Sequence, residues 1–471
     1  GTLAERCQMA AYLCYSVALT GFLYPVVAHA IWSANGFLSA FNVDPFLGVG
    51  MIDFAGSGVV HMTGGATAVF ATMILGPRKG RFYDARGNPL PKPKPMPGHS
   101  VGLQMLGTFI LWFGWYGFNP GSALALGENL LTGEIAALCA VNTTLSAASA
   151  GVTALFTNLF IEERMTGEAK FDIVVLMNGC LSGLVAITAG CAVVQPWAAV
   201  VIGVVGGWSY LLCSALLIKL RLDDAVDAIP VHLANGIWGV LAVGLLAAPE
   251  PLLAAYGSNV HVGWFHSLSR GSFDASLLVC QFVGILFIMG WVFFLMFPFF
   301  IWLNYMGWFR ADSLEELVGL DISYHGGASG IAGDDVKLEY VEAFNRRKGG
   351  RKGPAPGGMG GGMGGGMGGP PRMPPPPPEM YDQGYGGGGP GAYGDPYSYG
   401  GGAGGGGPGG LPPPGGDPGY AGATYPSSSP EMPYGMDQEP NPMDGGGMDH
   451  PMDHPMDHPM DHPMDHPMDN R

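Results

Sequence analysis

The sequence predicts an all-α protein, a polytopic membrane helix bundle with a disordered C-terminal tail. Three observations carry this expectation. The 471 residues are 48% hydrophobic and only 12% charged, about half the charged share of an ordinary soluble domain. Eight apolar stretches each approach or exceed the roughly 20 residues needed to cross about 30 Å of hydrocarbon. Towards the C-terminus the composition turns to Gly, Pro, Met and Tyr in low-complexity runs, which cannot bury a core.

The spans are expected near residues 8–30, 51–75, 99–119, 134–160, 171–191, 197–218, 231–248 and 276–307. Pro298 in the last one predicts a tilted or kinked helix. Small residues inside the spans, such as Gly56, Gly58, Gly64 and Gly65, or Gly203, Gly206 and Gly207, predict closely packed backbones. The connecting loops set the orientation, because Lys and Arg stay on the cytoplasmic side. Counting alternate sides, one set holds Arg6, the run from Arg78 to Lys94, Arg164, Lys170, Lys219, Arg221 and Arg310, and the other holds Arg270 alone. Both ends of the chain are therefore expected to be cytoplasmic. Residues 311–345 read as a short polar cytoplasmic segment, and residues 346–471 as a disordered tail.

The net charge of -16 excludes less than it suggests. Residues 1–310 carry 13 Lys/Arg against 15 Asp/Glu, so the acidity belongs to the tail, and nucleic acid is not an expected partner. Seven cysteines sit in or beside apolar segments without paired spacing and read as buried thiols. Five histidines in the terminal PMDH repeats, His450 to His466, read as a solvated repeat rather than a metal site, and no cofactor is expected. The chain starts at Gly1 rather than Met and has no signal-peptide pattern, which leads us to expect an N-terminal truncation.

Two histidines within spans mark a pathway, His61 and His232, since ionisable groups are rare in such helices. Each has an aspartate eight residues upstream, Asp53 and Asp224. The two spans run in opposite directions, so the pattern reads as an inverted-topology repeat with both histidines near mid-membrane. Two neutral imidazoles in contact, each with one donor and one acceptor, can line a route for a small polar neutral molecule. A bare cation there would face a desolvation cost of several kcal/mol. Trp32 and the FGWYGFNPGS stretch, with Trp115, Tyr116, Phe118 and Ser122, lie at the expected outer ends. Aromatic faces attract small cations, although Trp32 also reads as part of an interfacial belt. Asp53 likewise reads both as support for a cation and as a helix N-terminal cap.

These residues resemble the ammonium transporter (Amt/Mep/Rh) superfamily, especially its plant-type branch. The stretches that carry the likeness include IDFAGSGVVHMTGG, ILGPRKGRF, GHSVGLQMLGTFILWFGWYGFNPGSAL, DDAVDAIPVHLANGIWG and GLDISYHGG, within residues 1 to about 327. The resemblance implies an eleven-helix fold built on an inverted five-helix repeat, of which eight helices are present here, and a homotrimer with one pore per subunit. It implies ammonium and methylammonium as substrates and the lipid bilayer, most often the plasma membrane, as the setting. It casts His61 and His232 as pore histidines, Asp53 as support for the outer site, Trp32 and Ser122 as the cation-recruiting pair, Phe118 as an outer gate and Trp115 as pore-lining. Ser323 takes the place of a threonine whose phosphorylation closes plant-type members, which implies a kinase as partner. Two rival readings are an Rh-like channel for neutral gases and a membrane ammonium sensor acting through the tail. A hydrolytic enzyme is not expected, because the histidines lack a nucleophile or third ligand at matched depth.

Overall fold

The computed structural model describes residues 1–124, 129–325, 343 and 345–347. The chain divides into two units, Gly1–Tyr385 and Gly386–Arg471, and the second lies wholly outside the described residues, as do the five PMDH histidines. Of the tail expected to begin at residue 346, only Arg346 and Arg347 are described; they are helical, and Arg347 donates to Asp312 at 3.0 Å.

Every expected span corresponds to a helix. We number them α1 Met9–Trp32, α2 Ser57–Leu75, α3 Val101–Phe118, α4 Leu130–Thr166, α5 Ile173–Ile187, α6 Pro196–Leu220, α7 Ile229–Leu246 and α8 Ser276–Tyr305. No β-strand occurs among the described residues. Large apolar side chains stand exposed on the helix flanks, as at Leu13, Val17, Phe113, Leu212 and Phe294. In water such surfaces would drive association; in a bilayer they are the expected contact with lipid.

The ends of the helices follow local chemistry. The Ser100 hydroxyl accepts from Leu103 N and starts α3, and the Asp172 carboxylate accepts from Val174 N and Val175 N and starts α5. Helix α4 runs past both ends of its expected span: Asn129 caps it through Thr132 N, and it stops only at the left-handed Gly167. Helix α5 is instead shorter than expected and unwinds after Ile187. Its released carbonyls have other partners, since Phe54 N donates to Ala189 O at 3.0 Å and Ala55 N to Thr188 O at 3.1 Å. Pro298 is accommodated within a continuous α8, whose 30 residues span about 45 Å and so cross a bilayer tilted.

Helices α4, α5 and α6 pack together, while α8 lies against α2 and α7. At the centre, α2 and α7 cross antiparallel. A Cβ on Gly65 would stand 2.5 Å from Leu233 N, and one on Gly236 would stand 2.7 Å from Ser57 O. Any side chain at either position would push the backbones apart. Each glycine lies four residues, one helical turn, after a histidine, so the closest approach of the two halves is also where the histidines meet.

The cysteines depart in part from expectation. Cys7, Cys139, Cys191 and Cys280 are buried, but Cys14 faces outward from α1, and Cys180 and Cys213 are half-buried; all seven are free thiols. Their apolar neighbours in sequence include the lipid-facing side of a helix, which hydropathy cannot separate from the protein interior.

Candidate substrate pathway

Both histidines sit in wide helical turns that begin their spans. His61 lies in the π-helical segment Ser57–Met62 and His232 in Ile229–Ala234. Such turns are uncommon and recur at functional sites. The Asp53 carboxylate is fully buried and accepts from Gly58 N and Val59 N at 2.9 and 2.8 Å and from Gly56 N at 3.2 Å. Asp224 performs the same service for the other turn, accepting from Ile229 N at 2.6 Å and Val226 N at 3.3 Å. The cap reading of Asp53 therefore describes its contacts, and its counterpart repeats them.

The two turns bring the imidazoles together. Nδ1 of His232 and Nδ1 of His61 are 3.2 Å apart, and the rings stack at 5.2 Å between centroids. One Nδ1 must donate and the other accept, so the pair holds two different tautomers, and one Nε2 is left as a donor and the other as an acceptor. Nε2 of His61 is buried without a protein partner. Trp115 stacks on His61 at 5.1 Å and 15°, with its indole N–H donated to Thr188 Oγ1 at 3.0 Å, and Phe118 tilts against both rings at 5.7 Å. From the pair a cavity of about 320 Å³ runs along Gly64, Thr67, Ala68 and Ala71 towards the chain's first residues.

The remaining expected residues are dispersed. Trp32 donates its indole N–H to Asp53 O at 2.7 Å, and its ring lies beside Gly56. The Ser122 hydroxyl donates to Phe118 O at 2.7 Å, and no hydrogen bond or ring contact joins Trp32 to Ser122 among the described residues. Ser323 lies in the short helix Leu320–His325 and donates to Gly319 O at 3.2 Å.

Sequence reasoning missed the anchor at the arginine-rich end. Asp223 binds Arg78 through two hydrogen bonds of 2.8 and 3.0 Å to the guanidinium and takes the Arg78 N–H as well, while Arg6 donates to the Asp223 carbonyl at 2.5 Å. Burial alone would raise the Asp223 carboxyl, but the contacts with Arg78 and Arg6 outweigh it and hold the group below the ordinary carboxylate range. Arg310 pairs with Glu316 at 2.9 Å, and Glu316 also accepts from Lys79 N at 2.8 Å, which ties the segment after α8 to the loop after α2. Arg6, Arg78 and Arg310, counted by side in the sequence, thus converge through Asp223 and Glu316.

This geometry can be set beside known proteins. The model of the Ammonium Transporter Family matches residues 1–329. The chain belongs to the ammonium transporter family. It is 43% identical over 344 residues to ammonium transporter 1 member 2 of Oryza sativa subsp. japonica, an alignment covering 71% of this chain and 66% of that protein. It is also 43% identical to ammonium transporter 1 member 2 of Arabidopsis thaliana, covering 69% and 62%. The chain thus spans just under two thirds of the length of these plant relatives. Among solved structures, it resembles the Sensor Amt Protein at 33% identity and a TM-score of 0.55, covering 69% and 72% of the two chains. It also resembles Candida albicans Mep2 at 26% identity and a TM-score of 0.54, covering 71% and 65%. Membership of this family, together with its apolar helices, makes the chain an integral multi-pass membrane protein.

Proposed function

We propose that this family member conducts ammonium across the membrane by recruiting the cation at Trp32 and Ser122, releasing its proton, and passing ammonia along the histidine pair. The observation that supports this most directly is the Nδ1 contact of His61 and His232 at the head of a cavity, with His61 Nε2 buried and unpartnered. A small amphoteric molecule such as ammonia meets a donor on one ring and an acceptor on the other. The aromatic rings of Trp115 and Phe118 keep the site dry, where a bare cation is costly. Asp53 serves the outer site indirectly, by fixing the turn and offering its carbonyl to Trp32. In this reading both ends are cytoplasmic, the protein is a homotrimer in the plasma membrane, and methylammonium is a second substrate. The segment after Arg310 docks on the cytoplasmic face through Glu316, and phosphorylation of Ser323 by a kinase releases it, because the added charge repels Glu316 and Asp321.

The likeness to the Sensor Amt Protein favours ammonium sensing as a second reading. Labelled methylammonium uptake by the full-length protein separates the two. His61→Ala and His232→Ala should each change the rate or the discrimination against potassium, and Asp53→Asn should fold yet transport poorly. Unchanged transport and selectivity in both histidine variants would remove the pair from the mechanism; no uptake by the wild type would leave sensing.

A further inference from the structure

Each wide turn is preceded by a residue of positive φ, but the two halves place different residues there. Five residues before His61 stands Gly56, with φ +111°, and five residues before His232 stands Asp227, with φ +56°. Their carbonyls do matching work: Val60 N donates to Gly56 O at 3.0 Å, and Val231 N donates to Asp227 O at 3.1 Å. Glycine adopts this left-handed region freely, whereas a side chain makes it unfavourable. One half therefore uses glycine and the other keeps aspartate, which enters this region at a smaller cost than most side chains when hydrogen bonds hold it, and which brings contacts that glycine could not.

Its contacts indicate that use. Tyr210, buried in α6, donates its hydroxyl to Asp227 Oδ2 at 3.0 Å and itself accepts from Asn178 Nδ2 of α5 at 3.3 Å. Ser214, one turn further along α6, donates to Asp227 Oδ1 at 3.4 Å. Burial and the neighbouring Asp224 push the carboxyl above its ordinary range, against the pull of these hydroxyls. The first half needs no such tether at this position, because Ser57 fixes its turn by donating to Val185 O and accepting from Ala189 N, both at 2.7 Å.

We propose that Asp227 is a positioning residue for the histidine pair: its carboxylate ties the turn carrying His232 to α6 and sets the ring register against His61. The inference rests on the reading of the pair as the conduction site. It predicts an effect on passage rather than on recruitment, since Asp227 lies on the side of the pair away from Trp32 and Ser122.

The test uses the full-length protein with Asp227→Gly, Asp227→Asn and Tyr210→Phe, and His232→Ala as reference. Glycine removes the backbone cost but cuts the tether and leaves the buried Tyr210 hydroxyl without its acceptor, so the two effects oppose each other and its thermal stability should change little. Its maximal methylammonium uptake should fall about tenfold or more, since small misplacements of reacting groups cost that much, while the half-saturating concentration stays the same. Asparagine, which tolerates the left-handed region and still accepts a hydroxyl, should recover most of the rate, and Tyr210→Phe should fall between the two. Wild-type uptake in Asp227→Gly alongside an impaired His232→Ala would overturn the proposal alone. Wild-type uptake in both would overturn it together with the reading of the pair. Loss of folded protein in the glycine and asparagine variants alike would make the carboxylate a folding group and also overturn it.

Discussion

The turn that holds His61 and the turn that holds His232 share a plan and differ in their materials. Each begins with an aspartate eight residues ahead of the histidine and a left-handed residue five ahead, and each is followed by a glycine that admits the other helix. At the residue before the aspartate the halves part. Ile52 is apolar and buried, with its backbone held by Gln281, while Asp223 sits among arginines. Aromatic rings cover His61, whereas the cavity opens along the other side of the pair. Equal backbone demands thus recur in both halves because the crossing requires them. The side chains are free to diverge.

The largest effect is expected where the halves differ most. Asp223→Asn would remove the buried negative charge that faces Arg78 and Arg6, leaving Glu5 and backbone carbonyls as their partners, and should lower stability in detergent by about 3 kcal/mol. Because the folded carboxyl titrates below its unfolded value, this contribution is present above about pH 4 and fades only as the pH falls through the lower, folded value. A denaturation series across that range checks the sign; unaltered stability in Asp223→Asn would remove the cluster as an anchor. Next comes the shared cap. Asp53→Ala strands three buried N–H groups and should cost about 3 kcal/mol, against about 1 kcal/mol for the better solvated Asp224→Ala. Equal losses would mean that burial does not distinguish the caps.

The crossing should behave alike in both halves. Gly65→Ala and Gly236→Ala should each cost about 1–3 kcal/mol through overpacking against backbone, and a clear inequality between them would break the symmetry. The smallest effect tests the neighbouring glycine. Gly64 has nothing within reach of an added Cβ, so Gly64→Ala should raise helix stability by about 0.5–1 kcal/mol. A loss as large as that of Gly65→Ala would contradict the packing described.

These adjacent glycines also show what the sequence could reveal. Hydropathy found a helix in each of the eight stretches, and six of these helices are long and apolar enough to cross a membrane, because lipid imposes a minimum apolar length on any helix that crosses it. Gly64 and Gly65 are the same letter in the same run, and only helical phase separates them. The signal was available, since HMTGG and HLANG both place glycine four residues after the histidine. The early end of α5 was not legible, because residues 53–57 take over its carbonyls from more than a hundred positions away. The Asp223 cluster was hidden for the same reason: Arg6 and Arg78 counted as markers of a side, and nothing local announced their burial. The family likeness cast Trp115 as pore-lining but did not foretell its stacking on His61, and no hydrogen bond or ring contact among the described residues joins Trp32 to Ser122.

The crossing of α2 and α7 has a mechanical meaning. Two rods that touch backbone to backbone at Ser57–Gly236 and again at Gly65–Leu233 are held along that stretch, so movement is left to the lengths beyond it, where displacement grows with the lever. The far end of α2 lies about 15 Å from the contact, so a tilt of about 5° would carry it about 1 Å and shift the imidazoles by only a few tenths of an ångström. Opening and closing motions would thus be felt at the mouths, while the ring-to-ring distance at the centre stays almost constant. Distance measurements between spin labels at the helix ends, with and without ammonium, should find the movement there.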